Sequence, residues 1–461
     1  MKRRLTLFAL MAAMVCQMAQ AQDVFTTKGD GTTYSIKGLA QIAEAGVESL
    51  PKDNGNAAPP KYGLTKSITI AEGDRFEMES NLHVLFAKDV RLTIEGEADF
   101  SKAWSVYDVY DENEQTAASI RLKSKAATFI DKCVFRHLGV EVMGEGAVQL
   151  RACSFLKHNG STAAALYFIS AGAAATIEAC IFEDCQKAAI GSAANASQPM
   201  TINDCVIMNN SLANNNIPQI NITAANPVNI IGGCVIGNTE NTMVGGIGIS
   251  NFMGYDADIT IRDCQIEDNR YGIGLVGPAA RIVLDSNMLK NNRYETNPMN
   301  GGSGISLYDP YQQTEAVITG NHIEGSLWGV TVIGCKKVNL GNLEPGNDYN
   351  PGGNVFKDNG NNGQLYDLYN NSVNTVYAQG NTWNVSEQTE EQIETVIYHK
   401  HDDPSLGEVI YWPAAGSTGI GASLLNSEKE NSEQWYDLQG RKLPTPQKGI
   451  NIINGKKVLV K

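Results

Sequence analysis

The sequence predicts an all-β solenoid in which short strands coil into a parallel β-helix. Three observations carry that reading. The first is a landmark that returns along the middle of the chain. Cys133, Cys153, Cys180, Cys205, Cys234 and Cys264 each follow a short apolar-alternating run and precede another, as in TIEACIF over residues 176–182. Asparagine then takes the same slot at Asn287, Asn321, Asn354 and Asn381. The second is the period: these ten landmarks stand 20 to 34 residues apart, the signature of stacked repeats. The third is the punctuation. The strands are short and joined by polar turns, several with Asn (Asn209–Asn210, Asp268–Asn269, Asn291–Asn292, Asp358–Asn359), a residue that tolerates left-handed backbone and can stack amide on amide. Such turns leave no room for crossover helices, so parallel strands must coil, with right-handed crossovers expected. The L-x-x-L-x-L skeleton of a leucine-rich solenoid is missing.

The elements follow in order. Residues 1–21 read as an export signal: Lys2, Arg3 and Arg4, a short apolar run from Leu5 to Val15, and Ala19-Gln20-Ala21 at the cleavage site. Val15 is a poor residue before a lipidated cysteine, so Cys16 is read as part of the signal. Residues 22–63 form an entry cap, with a strand over Gly31–Ile36 and a helix over Leu39–Val47 lying across the first coil. Residues 64–413 are the β-helix and its terminal cap. Its first coils are irregular, and residues 101–118, with Trp104, Tyr107 and Tyr110, read as an excursion from the stack. From residue 120 each repeat gives a strand ending at the landmark, a polar turn and a second strand such as Gly246–Ile249 or Gly329–Val332. Glu390–Ile397 has helical spacing and caps the last coil, whose edge would otherwise invite pairing. Residues 414–432 are a linker. Residues 433–461 are a small β-hairpin tail, with Asn454-Gly455 between alternating apolar runs.

Composition narrows the partners. The chain has 461 residues and a formal net charge of −14, with the acidic residues dispersed. That argues against nucleic acid, which needs basic patches. After the signal no stretch reaches the roughly 18 apolar residues of a membrane-spanning helix. Eight cysteines then remain, six of them in one slot, where a small and weakly polar side chain stacks well. A buried ladder of free thiols is expected. Coils about 4.8 Å apart also lie within disulfide reach, which leaves a bridge through Cys185 or Cys335 open. No cofactor and no metal are expected: no C-x-x-C pair occurs, and His399, His401, Asp402 and Asp403 read as an end cap.

The repeats resemble the right-handed parallel β-helix superfamily that includes pectate-lyase-like proteins, over roughly residues 64 to 412. In that family lyases hold calcium with acidic side chains and remove a proton with Arg or Lys, while hydrolases use grouped carboxylates. No Gly-His-Gly and no Asn-x-Asp with a following Asp-Asp pair occurs inside the array, so the catalytic residues stay unassigned. The tail, with YDLQGR at 436–441 and GIN and KVLVK among its terminal strands, resembles the type IX secretion sorting domains of Bacteroidota, though shorter. That resemblance implies a secreted or outer-surface protein handled by the secretion machinery.

The landmark also serves as a ruler. Arg270 and Arg293 stand six residues past their landmarks, and Tyr271, Tyr294 and Trp328 stand seven past theirs. On stacked coils these should form a basic and aromatic strip, with Arg270, Arg293 and Trp328 on one exposed face. Aromatic faces suit sugar rings, and Arg suits uronate or sulfate. Tyr308 and Asp309 follow a second strand nearby, the insertion Glu295–Gly302 could wall a groove, and Glu295, Asp309, His322 and Glu324 are the ionisable candidates. The simpler reading is a surface ladder that only stabilises the stack. The functional expectation is a monomeric binder of polysaccharide or host glycan. The alternative is a polysaccharide lyase or glycoside hydrolase working in a groove on the same face.

Overall fold

The computed structural model describes residues 23–417, apart from 54–57, 102–103, 197, 225–227, 238 and 255, and a few short segments of the tail. The segment read as an export signal and most of the segment read as a linker lie outside the described residues. Between them three sheets of 14, 13 and 14 strands run side by side, parallel except where Val47–Leu50 meets Lys61–Leu64, and successive coils add one strand to each. The chain is a parallel β-helix. Among the described residues no helix is long and apolar enough to cross a membrane.

Each coil holds three strands, where the sequence suggested two. Thr128–Asp131 ends at the Cys133 corner, Val134–Arg136 follows it, and Gly139–Val142 completes the coil. We call these the first, second and third sheets. From Val134–Arg136 onward the second-sheet strands are only three residues long, too short to show alternation in sequence. The landmark therefore marks a corner between two sheets. The residue before it is left-handed at every landmark, with φ between 51° and 73° from Lys132 through Ala152, Ala179, Asp204 and Ser286 to Gly380. That conformation breaks the strand and turns the landmark side chain into the core.

The core is stacked in rows, because register places like residues on successive coils. The inward row of the second sheet runs Tyr107, Phe135, Phe155, Phe182, Ile207, Ile236, Ile266, Leu289, Ile323, Phe356. Its first rings stack at centroid separations of 5.2, 4.7 and 4.7 Å. Tyr107 is thus fully buried on the strand Val106–Val109, so residues 101–118 are a coil of the stack and not an excursion. The polar residues flanking that strand hid its alternation.

All eight described cysteines are buried and unbridged. Each landmark thiol lies against the carbonyl two residues back, as for Cys205 and Asn203 at 3.3 Å. Burial pushes the Cys185 thiol up to about 12 and keeps it neutral. From residue 287 onward amides replace thiols. The backbone N–H of Asn287 donates to Asn321 Oδ1 at 3.0 Å, that of Asn321 to Asn354 Oδ1 at 3.0 Å, and that of Asn354 to Asn381 Oδ1 at 2.9 Å. A second, shorter ladder runs at the next corner: Asn269 Nδ2 donates to Asn292 Oδ1 at 3.0 Å.

The ends are covered. At the entry, Ser35 caps a short helix at Ile36–Leu39, and Ala43–Ala45 is a 3-10 turn. The helix expected over 39–47 starts earlier and is shorter, because the Ser35 hydroxyl accepts from Gly38 N and fixes the start. At the far end Glu390–Glu394 is helical, and Ile397–Tyr398 and Val409–Ile410 pair onto the third and first sheets. In the tail, Gly449–Ile453 and Lys456–Val460 pair antiparallel, as the hairpin signal suggests, within a four-stranded sheet.

Candidate functional site

The third sheet carries a cleft of about 620 Å³. Its base is built by register. Asn221, Gly248, Gly274, Ser306 and Thr331 form one outward row, and all five line the cleft. The next outward row adds Ser250, Val276, Ile333 and Asn371. These side chains are mostly small, so the sheet surface is recessed between larger neighbours.

Arg270, Tyr271 and Trp328 line this cleft together, as the ruler expects. Tyr271 lies in a slot that glycines leave open. A Cβ at Gly245 would stand 2.2 Å from its ring, one at Gly274 would stand 3.0 Å away, and one at Gly248 would stand 3.1 Å from its hydroxyl. Loss of hydration in that slot pushes the phenol up to about 12, so it is a neutral donor at physiological pH. Trp328 stacks on Tyr366 at 5.5 Å with the rings 1° from parallel, and meets the edge of Tyr369 at 5.1 Å. Tyr369 stacks in turn on Tyr398 at 4.6 Å.

The insertion at 295–302 walls the cleft through Pro298, Met299, Asn300 and Gly301. It is held from both sides. Trp328 Nε1 donates to Pro298 O at 2.9 Å, and Arg270 Nε donates to Asn300 O at 2.9 Å. The Arg270 guanidinium also donates to Asn216 Oδ1. All these acceptors are neutral, and among the described residues no carboxylate forms an ion pair with Arg270. Nor does any carboxylate, histidine or lysine line the cleft, which leaves Arg270 as its one charged side chain.

The other candidates separate from this group. Arg293 is exposed, reaches toward Gly325 O at 3.4 Å and does not line the cleft with Arg270 and Trp328. Tyr294 is exposed and does not line the cleft, whose wall is built by residues 298–301 of the insertion that follows it. Tyr308 is exposed on the outward row between Val276 and Ile333, at the cleft margin. Asp309 is a correction: it is fully buried, and its oxygens accept from the backbone of Tyr311, Gln313 and Thr314 at 3.0, 2.8 and 2.7 Å. It staples the turn that ends its strand and presents nothing to a ligand. His322 and Glu324 pair with each other at 2.9 Å on the second sheet, around the corner. Lys357 joins them, and His322 and Lys357 together hold the Glu324 carboxyl below its usual range. Glu295 caps its own loop at Asn297 N.

Sequence reasoning missed Asn216, Asn221, Phe252 and the platform of Tyr366, Tyr369 and Tyr398. Seven residues past Asn354 lies Asn361, because that coil carries extra turn residues before its third-sheet strand. The count slips there and passes over the tyrosines.

Comparison with known proteins agrees on the architecture. A family model described as the right-handed β-helix region matches residues 92–250. A crystal structure of the periplasmic alginate epimerase AlgG, in a point-mutant form, is similar at a TM-score of 0.50 and 12% identity, over 82% of this chain and 83% of that one. The A-module of the Azotobacter vinelandii mannuronan C-5 epimerase AlgE6 is similar at a TM-score of 0.31 and 10% identity, over 84% and 99% of the two chains. No curated protein matches the chain by sequence. The class this defines is the right-handed parallel β-helix.

Proposed function

We propose that this is an exported β-helix protein that binds an acidic polysaccharide or glycan in the third-sheet cleft. One observation carries the reading: an Arg270 guanidinium with no carboxylate partner, set between Tyr271 and the Trp328–Tyr366–Tyr369 platform. Aromatic faces hold sugar rings through their apolar sides, and a guanidinium holds a carboxylate or sulfate through paired donors. Uncharged hydroxyl-seeking groups complete the surface at Asn216, Asn221, Ser306 and Thr331. The AlgG structure, similar in fold, is named for an enzyme of alginate, a uronate polymer, and this agrees with an acidic ligand.

A second reading is a polysaccharide-active enzyme on the same surface. The fold likeness to a named epimerase favours it. The lining favours binding, because carboxylate-based hydrolysis needs paired acids and none lines the cleft. The export signal and the sorting-like tail support delivery to the outer surface or medium, with the secretion machinery as the tail's partner.

The test is titration of the mature chain with uronan, sulfated and neutral oligosaccharides, alongside an assay of the same mixtures for unsaturated, reducing-end or epimerised products. Arg270→Ala should weaken an acidic ligand by about tenfold or more, the loss of one charge-assisted contact. It should leave any neutral ligand nearly unchanged. Equal loss for both ligand types sinks the acidic assignment. Turnover that survives purification would move the protein to the second reading.

A further inference from the structure

A second constellation lies in the terminal cap, in residues that do not line the cleft. Glu394, the last residue of the cap helix, meets His401 and Asp402 from the following turn, and one ligand atom from each lies within 4.8 Å of the others. We propose that these three residues form a site for a first-row divalent metal ion, of which zinc is the type, clipping the cap to the last coil.

Geometry supports it. Glu394 Oε1 and His401 Nδ1 stand 3.0 Å apart. Two donors bound tetrahedrally to one ion, each at about 2.1 Å, stand about 3.4 Å apart, so a shift of a few tenths of an ångström would seat one. The donor set of one imidazole and two carboxylates suits zinc or its first-row neighbours better than calcium or magnesium, which take oxygen alone. His401 and Asp402 are exposed, which gives an ion a path in and open positions for water.

The surroundings are already arranged for such a ligand. His399 is buried, and its Nδ1 accepts from Val409 N at 2.9 Å. The proton therefore sits on Nε2, which donates to Glu394 Oε1 at 3.0 Å. The Tyr411 hydroxyl donates to Glu394 Oε2 at 2.7 Å. The N–H of His399 donates to Asp402 Oδ2 at 3.0 Å, leaving the other oxygen of that carboxylate for an ion. Both protein-facing sides of the triad are thus fixed by outer groups: the two nitrogens of His399 are hydrogen-bonded, and the Tyr411 hydroxyl is committed to Glu394. Outer groups of this kind orient metal ligands and commonly change affinity by about 10- to 100-fold.

The experiment is calorimetric titration of zinc chloride into tag-free, chelator-stripped mature protein near neutral pH, with melting temperature recorded in parallel. The expected result is one saturable zinc per chain and a rise in melting temperature. His401→Ala and Asp402→Ala should weaken binding at least about tenfold and abolish the rise. Both side chains are exposed, so the variants should fold, and their melting temperatures in chelator check this. His322→Ala, on a different sheet, should bind as the parent does. Absence of saturable binding in the parent overturns the proposal. So does parental affinity in His401→Ala or Asp402→Ala, or loss of affinity in His322→Ala.

Discussion

The coils with cysteine landmarks and the coils with asparagine landmarks build the same corner by different chemistry. Between Cys133 and Cys264 the corner thiol makes long, weak contacts, such as Cys205 Sγ to Ile177 O at 3.7 Å, and phenylalanines fill the space behind the first of them. Between Asn287 and Asn381 each amide is fully engaged. Asn321 accepts two donors from Asn287 and gives its own Nδ2 to Leu284 O, Thr319 O and Asn354 Oδ1. Long connections occur in both halves, such as residues 209–219 in the cysteine half, and the asparagine half carries the 295–302 wall and the turn at 342–353. Asn354 Nδ2 reaches Leu340 O at 3.0 Å across that turn. The sulfur fills its corner by packing, while the amide ties each coil to the next by hydrogen bonds.

The largest expected effect tests that difference directly. Asn321→Leu removes five hydrogen bonds and orphans the buried donors of Asn287. It should lower the unfolding free energy by about 3–5 kcal/mol, measured by chemical denaturation, since each stranded buried group costs about 1–3 kcal/mol. A loss no larger than that of a cysteine landmark would erase the distinction.

The second effect is in pH. In the asparagine half Asp367 is buried between Asn359 Nδ2 and Asn384 N, and loss of hydration pushes its carboxyl from 3.8 up to about 7. From about pH 4 to 7 the unfolded chain has released that proton and the folded chain keeps it, so stability falls as pH rises. In the cysteine half His158 is buried with Nδ1 unpaired, and burial lowers it from 6.5 to about 3. Between pH 3 and 6.5 the unfolded chain holds the extra proton, so stability rises with pH. The two slopes oppose, each with a limit of about 1.4 kcal/mol per pH unit. The parent should be nearly flat from pH 4 to 6.5. Asp367→Asn should expose a rising slope in that window, and His158→Gln a falling one, both read from denaturation midpoints across pH. Two variants as flat as the parent would remove both groups from the account.

Smaller effects follow. Cys205→Ala should reduce stability by about 1–2 kcal/mol, the loss of a small buried side chain with no stranded partner. Cys264→Asn stands at the junction, where its backbone N–H already donates to Asn287 Oδ1 at 3.1 Å. It extends the amide ladder by one coil and should change stability by less than about 1 kcal/mol. A drop of several kcal/mol would show that neighbouring thiols cannot accept an amide.

The fold was legible because the period is written in one residue slot. Even the switch from Cys to Asn kept the slot visible. What hid was whatever that slot does not report. From Val134 onward the second-sheet strands are three residues long and have no periodicity of their own. The excursion assigned to 101–118 dissolved because Tyr107 is an inward, fully buried residue and not a surface aromatic. The site was half legible: counting seven past Cys264 and Asn321 found Tyr271 and Trp328, which share the cleft. The same count placed Tyr294 with them, because no sequence rule says which way an eight-residue insertion will fold. Asp309 read as a free carboxylate, since nothing in the chain announced that three backbone amides would claim it.

The stacking of the cleft rows has one further consequence. Ser306 and Thr331, like Gly248 and Gly274, are neighbours across coils and not along the chain. The length of the cleft is therefore quantised. Deleting or duplicating one whole coil shortens or lengthens it by one strand spacing, about 4.8 Å, and leaves its width and chemistry unchanged. A point substitution adjusts grip, while a coil sets reach. These two dials are independent in this molecule, because reach is fixed by how many landmarks the chain contains and grip by what stands between them.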